Sequence, residues 1–313
     1  GAGPADQPPD GACRPTYGRP AGRDPPASPM AAYGRQPAGP RLSSELAIHV
    51  DEVGIVFGRH REFLLKSSYQ LLFRVGGDSL VPFACEALAI AFTRGRAVPA
   101  QQLFARVEPA RREALEQVCR MLHFRNYGNI GIPGLEFFFN VDPGVPLPDP
   151  GHIEWLVRET LPDPSLAVCE ITEGAGASSE RVGAFAEDLK RIGVRLAVDD
   201  FGAGESTLDR VRLIEPDTVK IDAGWFRAAA RNPESSALLP DLFAGFRGLG
   251  CQVLVEGIET SADLAAALAA GADFLQGYYL ARPALAGTIF DDTPLGIGVL
   301  LDENVQRVAA NSR

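Results

Sequence analysis

Short apolar runs that end in a charged or amide side chain recur along this chain. They read FFFN, LAVCE, VRLAVDD, DTVK, CQVLVE and DFLQ. The polar residues at or just past their ends are Asn140, Glu170, Asp199, Asp200, Lys220, Glu256 and Gln276. Parallel strands are buried on both faces and are therefore apolar along their length, so the repetition indicates several parallel strands that end at one polar face. In a (β/α) barrel that face holds the active site.

Length and composition allow one domain of barrel size after a tail. The chain has 313 residues, and 46% of them are hydrophobic, which is enough for a full core. Its first 40 residues include ten Pro and seven Gly, with almost no aliphatic residues. Such a segment buries too little apolar surface to offset the entropy of ordering. We therefore predict a disordered Pro/Gly-rich tail or linker over 1–42, a barrel over 43–290 and a C-terminal extension over 291–313.

The charge of the chain limits its partners. A net charge of −10 and a pI of about 5.0 argue against duplex nucleic acid or an anionic membrane as a partner. A small phosphate ligand stays possible, because bound divalent cations reverse the local sign of charge. No apolar run reaches the length of a membrane span. The five cysteines are widely spaced without a CxxC pair, which predicts free thiols in a reducing cytoplasm.

Local patterns predict strands that alternate with helices. Two β-like runs at 69–75 and 80–85 flank a Gly-Gly-Asp turn, so the first strand is expected to be antiparallel to the second. A helix is predicted from Ser43 and Ser44 towards Arg61. Further strands are predicted over 137–141, 166–171, 194–198, 218–221, 252–255 and 274–276, and further helices over 110–124, 153–159, 178–193, 207–214, 235–248 and 261–270. This alternation predicts a parallel α/β architecture. Eight strands would close a barrel, but the residues alone do not distinguish a barrel from an open sheet.

The acids at the strand ends predict a metal site. Asp199 and Asp200 are adjacent carboxylates, which are costly to bury unless cations compensate them. Because other strands also end in acids, a site that bridges two metal ions is favoured over the alternative, a solvated turn. Asn140 adds a neutral oxygen that suits a hard cation, although an Asn at a strand end can also cap a turn. Such oxygen ligands favour magnesium or manganese, and two metals together favour phosphoester chemistry.

Lys220 stands inside an apolar strand, where an ammonium group needs an acidic partner or a function. It can orient an attacking water or neutralise a developing charge. The alternative is a structural ion pair with Asp222 or Glu215.

Seven motifs follow one another along the chain, and their order and spacing are far more specific than any one of them. They are Glu86-Ala87-Leu88, Asn140, CEITE at 169–173, DDFGAGEST at 199–207, VKID at 219–222, VEGIET at 255–260 and LQGYY at 275–279, followed by Arg282-Pro283. Together they resemble the EAL-domain family of cyclic di-GMP phosphodiesterases. The resemblance covers roughly residues 63–285.

This resemblance implies a TIM-like (β/α)8 barrel with one antiparallel strand. It implies hydrolysis of cyclic di-GMP to linear pGpG with two Mg²⁺ or Mn²⁺ ions per active site. The implied metal ligands are Glu86, Asn140, Glu170, Asp199, Asp200 and Glu256. The implied catalytic residues are Lys220, which holds the attacking water, Glu256, Glu259 and Glu173, which braces the loop 201–208. The implied substrate contacts are Gln70, Leu88, Gln276 and Arg282. A homodimer is expected from the same loop.

The chain departs from the family pattern on the substrate side. Ile90 stands where family members usually carry an Arg that grips a substrate phosphate, and losing such a charged hydrogen bond costs about 1.5–3 kcal/mol. Arg94 and Arg96 are the alternative cations considered for this phosphate. The first strand lacks the usual Pro after Gln70, and Glu205 replaces a common aromatic residue.

All the candidate metal ligands and Lys220 are present, so the leading hypothesis is an active phosphodiesterase. Its rivals are an inactive module that binds cyclic di-GMP or a protein, and a hydrolase of another phosphoester such as pGpG.

Overall fold

The computed structural model describes residues 1, 46–172, 177–204 and 208–302. Its strands are β1 (Leu46–Val50), β2 (Val56–His60), β3 (Phe63–Gly76), β4 (Ser79–Thr93), β5 (Arg96–Pro99), β6 (Glu136–Val141), β7 (Ala167–Ile171), β8 (Arg195–Phe201), β9 (Thr218–Ile221), β10 (Gln252–Val255), β11 (Phe274–Leu275), β12 (Ala284–Leu285) and β13 (Leu295–Gly296). Its α-helices are α1 (Ala100–Ala105), α2 (Pro109–Asn126), α3 (Pro150–Thr160), α4 (Ser179–Ile192), α5 (Leu208–Ile214), α6 (Ala223–Arg231), α7 (Pro233–Gly248), α8 (Ser261–Ala270) and α9 (Ile297–Leu301). Two short 3₁₀ helices cover Tyr127–Ile130 and Pro164–Leu166.

Eight of the strands form a closed barrel. Around the barrel their order is β3, β11, β10, β9, β8, β7, β6 and β4, and β4 pairs back with β3. Seven strands run parallel, while β3 is antiparallel to both of its neighbours. The closure confirms the expected TIM-like (β/α)8 barrel with one antiparallel strand. It also brings the carboxyl ends of seven strands to one face.

The alternation of strands and helices follows from local sequence. In β7 every residue of AVCEI is buried, as expected for a parallel strand that is covered on both faces. The helix α4 begins after Ser178, whose hydroxyl accepts a hydrogen bond from the Arg181 N–H. It ends at Gly193, where φ is 95°, a left-handed conformation that glycine adopts without strain. Both ends of this helix confirm their sequence prediction.

The helix predicted over 43–61 is wrong from residue 46 onward, because this part of the chain forms the antiparallel pair β1–β2. Its pattern is short and β-like, with Leu46 buried and Ala47 exposed. The Asp51 carboxylate accepts two backbone hydrogen bonds that close the connecting turn. A side chain on Gly58 would crowd β3 and α2, so close packing of the pair against its neighbours also favours the strand.

Three helices, α1, α6 and α9, were not predicted, and α6 is the one that bears on the polar face. The segment after β9 forms α6, and the Asp222 carboxylate caps it by accepting a hydrogen bond from the Trp225 N–H at 2.7 Å. Its nine residues are fewer than the roughly 11 to 18 over which a helical period is judged. The cap directly follows Lys220 and Ile221 in the chain, so α6 starts at the polar face of the barrel.

The strands β3 and β4 are much longer than the other barrel strands, with 14 and 15 residues. They form a hairpin that extends past the polar face of the barrel, where β2 pairs with β3 and β5 pairs with β4. One face of this hairpin packs on α1 and α2 through a second apolar core that includes Leu65, Ala91, Leu103 and Val118. At the other end of the chain, β12 pairs with β3 and β13 pairs with β4. Among the described helices, none is at once long and apolar enough to cross a membrane.

Candidate active site

Each barrel strand places one polar side chain at the same face of the barrel. In the order of the chain they are Gln70, Glu86, Asn140, Glu170, Asp199, Lys220, Glu256 and Gln276. Six of the eight are buried, and Asn140 and Glu256 are half-buried. The expectation that the strand ends share one polar face is therefore confirmed.

Lys220 lies at the centre of this face and contacts four carboxylates. Its Nζ is 2.6 Å from Glu170 Oε1, 2.7 Å from Glu256 Oε1, 3.1 Å from Asp199 Oδ1 and 3.7 Å from Glu86 Oε1. The alternative partners lie elsewhere, since Asp222 caps α6 and Glu215 contacts Lys190. The lysine thus belongs to the acidic cluster, and the structural pair considered from the sequence is wrong.

The cluster shifts the ionisation of its members in opposite directions. Burial tends to lower the pKa of Lys220, but the four carboxylates outweigh it and raise that pKa well above its ordinary value. Burial and the negative charge of Glu86 raise the pKa of Glu170 well above its usual range. Burial, with the charges of Asp199 and Glu86, raises the pKa of Glu256 to about 8 although Lys220 opposes the shift. The net shift of Glu86 has the opposite sign. Burial raises its pKa, but the charge of Lys220 and side-chain hydrogen bonds outweigh burial, so the pKa lies below its ordinary value.

Asp199 and Asp200 converge because β8 is irregular where they stand. The register with β9 shifts between Val198 and Phe201, and Asp200 has a φ of 54°. A bulge of this kind re-aims side chains that would otherwise point to opposite faces. As a result one carboxylate oxygen each of Asp199, Asp200 and Glu256 lie within 4.8 Å of one another. Asp199 is only 8% exposed, so the alternative of a solvated turn is wrong for it.

The chemistry of these oxygens fits hard divalent cations. Among the described residues, Glu170 Oε2 is buried and has no hydrogen-bond partner, an arrangement that is costly for a carboxylate without a cation. Asn140 Nδ2 donates to Glu86 Oε1 at 3.4 Å, so this contact leaves the amide oxygen of Asn140 available for a cation. All six residues predicted to bind metal therefore reach this face with oxygen atoms, and carboxylate and amide oxygens suit Mg²⁺ and Mn²⁺.

A cavity of about 200 Å³ opens beside the carboxylates. Three of the expected substrate contacts, Gln70, Leu88 and Gln276, line it together with Glu256 and Glu259. Gln276 Nε2 donates to Glu86 Oε2 at 2.7 Å and to Gln70 Oε1 at 3.3 Å, so the two glutamines are oriented by the acidic cluster.

Two further predicted residues, Glu259 and Arg282, are exposed rather than buried. Glu259 has a side chain that is 58% exposed and forms a 3.0 Å salt bridge with Arg227. Arg282 is exposed and does not line the cavity, because its guanidinium lies over the ring of Tyr278, 4.8 Å from the centroid. Tyr278 itself lines the cavity and was missed, although the QGYY motif contains it.

Both arginines considered as substitutes at Ile90 stand at the β4–β5 turn, away from the carboxylates. Arg94 stands at the turn between β4 and β5, roughly 25 Å along the strand from Glu86 at about 3.3 Å per residue. Arg96 pairs with Thr93 in the same turn.

Glu173 and residues 205–207 lie outside the described residues, so the expectation that Glu173 braces the loop falls outside them too. Cys85 and Cys169 are buried free thiols, as predicted for the cysteines, and burial raises the pKa of each.

Comparison with known proteins identifies the fold and the family. A family model described as the EAL domain matches residues 65–283, which is more than half of the chain. The chain belongs to the EAL domain family. Two solved structures share the EAL fold with it. The Bacillus subtilis YkuI protein in complex with c-di-GMP and calcium has a TM-score of 0.62 at 21% identity, over 79% of this chain and 60% of that one. Klebsiella pneumoniae BlrP1 in a manganese and c-di-GMP complex has a TM-score of 0.64 at 22% identity, over 80% and 62%.

Curated relatives of this EAL domain are longer proteins. The Pseudomonas aeruginosa bifunctional diguanylate cyclase/cyclic di-GMP phosphodiesterase MucR is 32% identical over 129 residues, which are 41% of this chain and 19% of that protein. The cyclic di-GMP phosphodiesterase RocR of the same organism is 34% identical over 135 residues, 42% of this chain and 34% of that protein. The aligned part therefore spans about a third or less of these relatives.

Proposed function

We propose that this EAL domain hydrolyses cyclic di-GMP to linear pGpG in a reaction that depends on two divalent metal ions, Mg²⁺ or Mn²⁺. The observation that supports this most is the cluster of four carboxylates around the buried Lys220, with Asp200 converging on Asp199 and Glu256. A purely structural lysine would need fewer acids. The relatives named as cyclic di-GMP phosphodiesterases support the choice of substrate.

In this proposal the residues at the strand ends divide into two metal sites. Glu86, Asn140, Glu170 and Asp199 hold one ion, and Asp199, Asp200 and Glu256 hold the other. When bound, the ions lower the pKa of a water molecule and neutralise charge on the phosphate. Lys220, kept protonated by its neighbours, donates hydrogen bonds that orient this water. Glu256 lies 2.7 Å from the Lys220 ammonium, so its carboxylate is close enough to this water to accept a proton.

The substrate contacts form a second part of the proposal. Gln70, Leu88 and Gln276 contact the dinucleotide in the cavity beside the carboxylates, and Arg282 contacts it from the rim. Glu259 supports the loop after β10 through its salt bridge with Arg227, and a homodimer is the expected assembly. The four described cysteines are free thiols, which agrees with a cytoplasmic protein.

A second candidate function is a receptor that binds cyclic di-GMP without turnover. Ile90 favours it, because this position lacks the cation that the family pattern provides for a substrate phosphate. The acidic cluster argues against it, since all residues expected to bind metal are present and close together. A third candidate, hydrolysis of pGpG itself, needs the same cluster.

One assay separates the three candidates. Purified protein is incubated with cyclic di-GMP or pGpG and Mg²⁺ or Mn²⁺, and products are followed by chromatography. We expect metal-dependent pGpG from the cyclic substrate, lost in Glu86→Gln and retained in the control Glu187→Gln, an exposed glutamate on α4. Binding without product would establish the receptor, and faster turnover of pGpG would establish the third candidate.

A further inference from the structure

We propose that a basic cleft on the projecting β3–β4 hairpin binds a phosphate of the dinucleotide, with Lys66 as its central cation. This basic cleft has a volume of about 380 Å³. Its lining combines cationic and aromatic side chains, among them Arg59, Arg61, Lys66, Phe92 and Arg94. The inference rests on the proposed function and assigns a residue to substrate binding that the motifs do not contain.

Strand register places Lys66 on the face of the hairpin that carries the active site. Lys66 pairs directly with Ile90, as Gln70 pairs with Glu86. Residues that face each other across an antiparallel pair project to the same side, and every second residue of a strand shares that side. Since Gln70 and Glu86 point into the site, Lys66 and Ile90 lie on the same face, farther along the hairpin.

The opposite face of the hairpin is already occupied. Phe63 and Leu65 on β3 and Ala91 on β4 lie in the apolar core with α1 and α2. Ser67, between Lys66 and the site, contacts His123 of α2 at 2.9 Å. Lys66 alternates with these residues and is half-buried on the other side, so its ammonium group is directed away from the helices.

The charge of the cleft is unbalanced within the described structure. Neither Arg59 nor Lys66 nor Arg94 forms a salt bridge with another described residue, and Glu62 is the only acid in the lining. Lys66 Nζ instead lies over the Phe92 ring, 5.9 Å from its centroid. In a chain with a net charge of −10, several cations around one concave surface attract an anion.

The spacing suits a dinucleotide that extends from the carboxylates. Lys66 lies four residues from Gln70, roughly 13 Å along the strand. The flexible four-carbon stem of Lys66 covers part of that distance, so a ligand with one phosphate at the metal site can present its second phosphate to the ammonium, with the Phe92 ring available for stacking against a base. Lys66 then provides from β3 the positive charge that Ile90 does not provide from β4.

The test compares cyclic di-GMP binding by isothermal titration calorimetry in Ca²⁺ for four proteins. These are the wild type, Lys66→Gln, the double variant Lys66→Gln/Ile90→Arg and the control Arg96→Gln. The control removes the same charge from the same hairpin, but Arg96 pairs with Thr93 and does not line the cleft. We expect Lys66→Gln to weaken binding roughly 10- to 100-fold, the range of one charged hydrogen bond, and Ile90→Arg to restore it. Arg96→Gln should bind like the wild type.

The outcomes separate this inference from the proposed function. If the wild type binds and Lys66→Gln binds equally well, the inference is overturned while the proposed function stands. If Lys66→Gln and Arg96→Gln lose affinity equally, the effect is one of net charge and the inference again fails. If the wild type does not bind cyclic di-GMP, the proposed function fails and this assignment fails with it. Thermal melting of each variant shows whether a loss of binding comes from unfolding.

Discussion

At the scale of single residues, the buried ammonium of Lys220 holds the acidic face together. A charge in the protein interior is tolerated only when it is paired, and Lys220 has four carboxylates within 4 Å. Burial, together with more negative charge than one ammonium can balance, raises the pKa of Glu170 and the pKa of Glu256. The same excess of negative charge makes the face a site for cations.

Lys220→Met tests this role. Without the ammonium, the carboxylates lose their only buried counter-ion in the described structure, and the attacking water of the proposed mechanism loses a donor. We expect turnover of cyclic di-GMP to fall by about 10²–10³-fold, typical of a lost electrostatic contact in a reaction. In EDTA, the free energy of unfolding should fall by about 3–5 kcal/mol, as when a buried pair is broken.

The matched control is Lys190→Met, because Lys190 forms a solvent-exposed pair with Glu215. Its effect on the free energy of unfolding should stay within about 1 kcal/mol. Equal losses in both variants, measured by urea denaturation, would contradict a special role for Lys220.

At the scale of elements, the loops after β10 and β11 position Glu256 and Gln276 by contacting each other. The Ile258 N–H donates to the Gln276 carbonyl and the Tyr279 N–H donates to the Ile258 carbonyl, both at 3.0 Å. Gly277 lies inside this contact, and a Cβ there would stand 2.1 Å from the Ile258 carbonyl oxygen. The contact therefore requires glycine at this position.

Gly277→Ala should separate the two loops. Because the clash is with backbone, which cannot turn aside, we expect a loss of at least about 1–3 kcal/mol in the free energy of unfolding, the range for an overpacked site. Activity should fall as well, since Glu256 and Gln276 both move. Gly245→Ala is the control: it lies in α7 with no atom near its added Cβ and should raise stability by about 0.4–1 kcal/mol. Guanidinium denaturation of both variants gives the comparison, and an unchanged midpoint for Gly277→Ala would contradict it.

At the scale of the whole molecule, closure of the barrel assembles the site from the full length of the sequence. Gln276 and Glu86 are 190 residues apart and form a 2.7 Å hydrogen bond. The acids meet at the polar face of the barrel, so protons and metal ions compete for the same carboxylate oxygens. Global stability should therefore depend on both.

The stability of the metal-free protein should fall as the pH rises from 6 to 8. Glu256 has a folded pKa of about 8 against an ordinary value of 4.5, so between these values the native state holds a proton that the unfolded chain has released. The resulting stabilisation is complete below about pH 4.5 and is lost as the pH rises through 8. Glu170 shifts in the same direction.

Divalent metal should reverse this trend, because it replaces the protons on the carboxylates. Differential scanning fluorimetry in EDTA or Mn²⁺ should show a larger gain in Tm at pH 8 than at pH 6. Glu256→Gln, which cannot ionise there, should flatten the pH dependence in EDTA. A gain from Mn²⁺ that is the same at both pH values in the wild type would contradict the competition.

The order of the polar residues could be predicted from the sequence, because each follows an apolar run that makes a parallel strand wherever it is buried. The ends of α4 at Ser178 and Gly193 could be predicted for a similar reason, since a cap and a left-handed glycine act locally. The segment 46–60 could not, because β1 and β2 depend on pairing with each other and with β3. In this segment, pairing with neighbouring strands outweighed the local helix signal.

Burial and capping act over a few residues, so the sequence alone sets the polar side chains and the strands that present them. Which of these side chains meet depends on the tertiary fold. Closure of the barrel gave Lys220 its four carboxylates in place of Asp222 or Glu215, and the irregular backbone at Asp200 turned two adjacent acids towards Glu256. The register of β3 on β4 set Lys66 opposite Ile90. Such relations join residues far apart in the chain, and their geometry follows from packing and backbone pairing across the whole barrel.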